Sequence, residues 1–300
     1  MFKISTLLGR IIPLTTTKLP KKSVVLLRNL ALGSGMSTIA VSLFAPSVSE
    51  KESLAEKPRR PKDLNLVLRE TDALYDNYLI DNAYGLLARY KNSDCSELLW
   101  RLARVLCEKG KLSRDPAEKK KLMYEAYEVV QNALKHEPIE GCFGAHKWYA
   151  ILLDYIGEIE GNKSRIEKSY LVREHLENAV KLYDKDATTW HILGIWHFSF
   201  ADMGYATRLV AKTIFGTPPS STYEEALHYF LKAEEIESGF YSTNTFYIAE
   251  VYDRLGKKEE ATEYYKKAFK MPVVTADDNI IHKKAFDKLR KLGIKERELV

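Results

Sequence analysis

A chain of 300 residues that is 45% apolar and 29% charged holds enough hydrophobic material to bury a core, which excludes wholesale disorder. Fifteen Gly and ten Pro are too few for a collagen-like or low-complexity chain, and three cysteines (Cys95, Cys107, Cys142) without a CxxC pair support neither a disulfide framework nor a zinc module. The net charge of +5 is uneven, because residues 1–49 carry Lys3, Arg10, Lys18, Lys21, Lys22 and Arg28 with no acid, leaving −1 for the remaining 251 residues and no sustained basic face for nucleic acid.

The acid-free stretch 1–49, with its Ser and Thr interspersed among bases, has the composition of a mitochondrial targeting segment. From Asn29 to Ser49 there are 21 uncharged residues. Their apolar run Leu30–Ala45 is interrupted by Gly33, Ser34, Gly35 and Ser37, so a membrane-spanning helix fits by length and is weak by hydropathy. A cleaved leader, a membrane anchor and a plain basic tail all fit these residues. Residues 50–63 are charged, contain Pro58 and Pro61, and read as a linker. A repeat domain is expected over 64–300.

That domain is read from recurring helical patterns. Trp100-x2-Ala103-x3-Cys107, Trp148-x2-Ile151-Leu152-x2-Tyr155 and Trp190-x2-Leu193-Gly194-x2-His197 share one spacing, and Thr245-x2-Ile248-Ala249-x2-Tyr252 repeats it without the Trp. Each is followed by a second pattern at intervals of four and three: Ala126, Val130, Ala133; Val172, Leu176, Ala179; Ala226, Phe230, Ala233; Ala261, Tyr265, Ala268. Such intervals put all three residues on one helical face, and the small ones allow a neighbouring helix to approach closely. Ala83, Leu87 and Tyr90 suggest a degenerate earlier pair beginning near Leu64.

Over Leu64 to Met271 this pattern resembles the tetratricopeptide repeat, which implies an all-α fold of helical hairpins stacked into a curved solenoid. The last copy keeps the spacing unbroken, with Gly256 ending its first helix. The three before it carry ten, eight and twenty extra residues between their paired helices, counted from Cys107 to Ala126, Tyr155 to Val172 and His197 to Ala226. Helix starts are expected at Asp115-Pro116 and at two Ser-x-x-Glu capping boxes, Ser164 with Glu167 and Ser221 with Glu224. The longest insertion and its flanks, Trp190–Phe200, Ala211–Leu227, Phe230–Glu235 and Gly239-Phe240, resemble the regulator of microtubule dynamics family. That resemblance implies association with microtubules or spindle structures, with some members mitochondrial or membrane-anchored and one acting as an organelle tether that contacts lipid. It carries over no individual site residue.

In a stack of helix pairs the first helices line the concave side. The residues one, five and eight after each Trp then share a face: Arg101, Val105, Glu108; Tyr149, Leu153, Ile156; His191, Ile195, Phe198; and Phe246, Glu250, Asp253 in the last copy. Tyr149, Leu153, Ile156, His191, Ile195, Phe198 and Phe246 form the candidate groove. It is apolar, so the clamp that grips acidic C-terminal peptides is not expected. The helices around Trp148 and Trp190 are apolar or aromatic nearly all round, which requires contact on both sides. Either the chain's own insertion or C-terminal helix fills the groove, or an apolar partner helix or a lipid does. Gly256–Val300 holds twelve Lys/Arg against eight Asp/Glu, and Lys283, Lys284, Lys288, Arg290 and Lys291 are the candidate basic contact for the acidic tails on microtubules.

No phosphate loop, dinucleotide fingerprint, metalloprotease helix or nucleophile elbow is present in the sequence. His191 and His197 stand six apart on different faces, and Cys142 with His146 lacks a third ligand, so neither catalysis, cofactor nor metal is expected. The reading is a non-catalytic helical-repeat scaffold that regulates microtubules, in the cytoplasm or at mitochondria. The alternative is a lipid-binding or tethering module that uses the groove.

Overall fold

The computed structural model describes residues 60–295. The segment 1–49 and most of the linker lie outside them. Among the described residues there are twelve α-helices and no strand. They are α1 (Leu64–Asp76), α2 (Ile80–Leu87), α3 (Ser96–Leu112), α4 (Pro116–Lys135), α5 (Phe143–Glu160), α6 (Asn162–Leu182), α7 (Ala187–Ala201), α8 (Tyr205–Phe215), α9 (Tyr223–Ile236), α10 (Ser242–Arg254), α11 (Lys258–Lys270) and α12 (Ala276–Lys291). Hairpins α3/α4, α5/α6, α7/α9 and α10/α11 pack one on the next; α1/α2 precede them and α12 follows α11.

The small-residue seams hold this stack. All twelve residues of the second-helix patterns are buried, as are Ala83 and Leu87 of the degenerate first pair. Where the interhelical approach is tightest the residue is glycine. A Cβ on Gly144 would fall 2.3 Å from the Trp100 indole, and one on Gly194 would fall 2.5 Å from the Phe230 ring.

Helix boundaries follow local chemistry. Asp63, Asp115 and Asp186 accept from the first-turn amides of Leu66, Ala117 and Thr189 at 2.8–2.9 Å, and Pro116 occupies the first position of α4. The last hairpin turns at Gly256, φ +76°, where the Lys257 N–H donates to Tyr252 O and the Gly256 N–H to Asp253 O. This pairing satisfies the carbonyls that end a helix. Neither expected Ser box caps its helix. The box before α9 is Thr222 with Glu225, one residue further on, and Ser221 instead donates to Glu225 Oε2 at 2.8 Å. Ser164 lies inside α6, which starts directly after Gly161 (φ +103°).

The insertions divide into two kinds. The ten and eight extra residues do not form loops; they lengthen α3, α4, α5 and α6 to 17, 20, 18 and 21 residues, against 13 each for α10 and α11. The twenty-residue insertion contains a helix of its own, α8. It is tied back where Arg208 donates to the carbonyls of Phe200 and Pro219, and where the Tyr170 hydroxyl donates to Thr217 O at 3.0 Å. Among the described residues no helix is long and apolar enough to cross a membrane.

Candidate functional site

The apolar side chains expected to line a groove lie inside the stack. Leu153, Ile156, His191, Ile195, Phe198 and Phe246 are all buried, and only Tyr149 is half-buried. Their cover comes from neighbouring helices. His191 Nδ1 lies 2.9 Å from Asn244 Oδ1 of α10, and Phe198 packs edge-on against Tyr247 of the same helix. Phe246 meets Tyr265 of α11. The Tyr149 ring lies over His175 of α6 at 4.2 Å, and its hydroxyl is 3.2 Å from that of Tyr127 on α4. These positions are thus helix contacts, some within a hairpin, as for Phe246 and Tyr265, and some between successive hairpins, as for His191 and Asn244.

Polar groups occupy both ends of the same strip. Glu108 is buried and receives the Tyr78 hydroxyl at 2.8 Å and Lys111 at 2.7 Å. Val105 is buried beside it. At the other end buried Glu250 accepts from the Tyr265 hydroxyl and pairs with Lys288 at 2.5 Å, while Asp253 pairs with Lys258. Arg101 makes a forked contact with Asp72 of α1 at 2.8–3.1 Å and pairs with Glu97 at 2.5 Å. Arg104 reaches the same Asp72 at 2.6 Å and stacks over Tyr75. Burial pushes the Asp72 carboxyl upward, but the two guanidinium groups outweigh it and hold its pKa below the usual carboxylate value. Arg104 and Asp72 fall outside the template positions, so spacing alone did not single them out.

A cleft of about 140 Å3 opens between α5, α6, α7 and the start of α8. Ile166, Trp196, Phe200 and Met203 give it apolar walls, and the Asp154–Arg165 pair, 3.0 Å apart, lies among its polar groups. Among the described residues no group of three side chains is placed to hold a metal ion. Burial raises the thiols of Cys142 and Cys107 to about 11 and about 12, which keeps both protonated and unreactive near neutrality.

The C-terminal helix divides the candidate basic contact. Ile281, Ala285 and Leu289 are buried on one face of α12. Lys288 flanks that face and is committed inward, pairing with Glu250 and lying 3.7 Å from Asp253. Lys283, Lys284, Arg290 and Lys291 are exposed on the other face with Asp287 as the single acid among them. Among the described residues Lys283, Lys284 and Lys291 have no carboxylate within 4 Å.

The sequence profile described as "Regulator of microtubule dynamics protein 1-3" matches residues 67–293. A Regulator of microtubule dynamics protein 1 of Pongo abelii is 44% identical over 220 residues, 73% of this chain and 69% of the relative. The protein of the same name from Mus musculus is 43% identical over 220 residues, covering 73% and 72%. Among solved structures, TTC0263, a thermophilic TPR protein of Thermus thermophilus, superposes with a TM-score of 0.51 at 18% identity, covering 74% of this chain and 98% of that one. This last likeness supports the tetratricopeptide-type fold and nothing beyond it.

Proposed function

Since this chain belongs to the regulator of microtubule dynamics family, we propose that it is a non-catalytic helical-repeat scaffold that binds microtubules and regulates their dynamics or spindle organisation. The observation that carries this reading is the outer face of α12, where four cations and one acid stand exposed on a helix whose opposite face closes the stack. Acidic tails on a polymer surface attract such a face at long range, and salt screens the attraction over about 10 Å at 0.1 M. Lys288 is excluded from the contact because Glu250 already holds it.

The test is co-sedimentation of the full chain with stabilised microtubules at graded salt. Binding is expected to fall as salt rises, and K283E/K284E is expected to weaken it about tenfold at low salt, in line with like-charge placement at an interface. Binding unchanged in K283E/K284E would sink the assignment of the basic face. Residues 1–49 supply delivery to, or anchoring at, a mitochondrial membrane, on the basis of their acid-free composition. With six of the seven groove residues packed inside the stack, the lipid alternative is left with the cleft beside Trp196 and no longer has a continuous groove.

A further inference from the structure

The turn that joins α11 to α12 is apolar and turned outward. Pro272 is exposed, and Val273 and Val274 expose 50% and 69% of their surface. Just over one turn into α12, Ile280 is 50% exposed. Its side chain shares the outer face with Lys283, Lys284 and Asp287, at intervals of three, four and seven. Lys270, the last residue of α11, is exposed on the other side of the turn. Three large aliphatic side chains within eight residues, bordered by lysines, make a composite surface. Single exposed aliphatics are ordinary on any protein, but a cluster beside a charged stripe marks a contact area.

The fold itself does not require this apolar tip. The buried face of α12 is complete with Ile281, Ala285 and Leu289. Thr275 and Asp278 cap its first turn reciprocally, with the Asp278 N–H donating to Thr275 Oγ1 at 3.1 Å and the Thr275 N–H donating to Asp278 Oδ2 at 2.9 Å. Val273 and Val274 add nothing to that cap through their side chains. An acidic tail would engage lysines alone and would leave three aliphatic side chains in water. A partner that pairs with both must present a folded apolar spot beside its acidic groups.

We propose that the contact is bipartite: the α12 cations take the acidic tails of the microtubule, and Val273, Val274 and Ile280 seat on the folded wall beneath them. This rests on the microtubule reading above and adds the part of the partner that is touched. The two halves separate by salt, because charge attraction is screened and apolar burial is not weakened by added salt. The experiment is co-sedimentation of the full chain, wild type and V273S/V274S/I280S, with stabilised microtubules from low to high salt. A second series uses microtubules whose acidic tails have been trimmed by protease. Wild type is expected to keep a salt-resistant remainder of binding, also on trimmed microtubules. The serine variant is expected to lose that remainder and to bind about tenfold more weakly at low salt, with the salt slope unchanged.

All three changed side chains are exposed, and helix content by circular dichroism checks that the fold is kept. A serine variant that binds like wild type at every salt, while K283E/K284E is weakened, would overturn the bipartite contact and leave the microtubule reading standing. Absence of wild-type binding at low salt would overturn both.

Discussion

His191 shows how one side chain records the packing around it. The Asn244 amide donates to Phe230 O at 3.1 Å, which turns its Oδ1 toward the imidazole and makes Nδ1 the donor. Nε2 is then left buried without a partner, enclosed by the rings of Phe230, Phe240 and Tyr241. A second proton would place a charge there, so burial lowers the pKa from 6.5 to about 4, against a smaller upward pull from Asn244. The unfolded chain takes that proton first. Stability from this group is therefore complete above about pH 6.5 and is lost as pH falls toward 4, by about 2 kcal/mol between pH 7 and pH 5. Urea unfolding at those two values should show H191Q losing that share of the pH dependence, and the same pH dependence in both proteins would contradict it. Burial also lowers His175 and His197 to about 4, which adds loss of the same sign. Helical spacing placed His191 on a face with Ile195 and Phe198, and both His191 and Phe198 meet α10. Spacing within one helix does not reveal that Asn244, 53 residues later, closes over that face.

At the level of the helices, two glycines inside helices have opposite roles. Gly85 in α2 has nothing within 4 Å of an added Cβ, whereas Gly194 in α7 lies under Phe230 of α9. Gly85→Ala should gain stability of up to about 1 kcal/mol from helix propensity alone. Gly194→Ala gains the same propensity but forces α7 and α9 apart, for a net loss of about 1–3 kcal/mol. Denaturant midpoints that move in the same direction for both would refute this account of the seam. Gly194 was legible, because Trp190-x2-Leu193-Gly194 carries the repeat spacing. The fate of the insertions was only partly so. The segments around Lys119-Lys120-Lys121 and Ser164–Tyr170 contain helix formers without internal Gly or Pro and extend their helices. The stretch 201–222 is cut by Gly204, Gly216, Pro218 and Pro219 and leaves the hairpin as a separate helix. Counting residues between motifs gives the size of an insertion; the breakers within it decide its form.

For the stack as a whole, the two ends differ in how their charges are used. Near the start, Asp72 of α1 holds Arg101 and Arg104 of α3, so the cation noted in the sequence at that end is spent on the fold. Near the end, α12 commits Lys288 in the same way and leaves Lys283, Lys284, Arg290 and Lys291 to solvent. Composition alone located a local excess of positive charge in the last 45 residues. It could not assign Lys288 to the inner side, because that depends on Glu250 and Asp253 arriving from another hairpin. The surface left free is a basic, apolar-tipped terminal helix. Hydrogen exchange of the full chain, with and without stabilised microtubules, tests that surface most directly. Protection on binding is predicted in the peptides covering Met271–Lys291, with α8 and the hairpin α5/α6 unchanged. Protection elsewhere in the stack, with Met271–Lys291 exchanging as in the free protein, would contradict it.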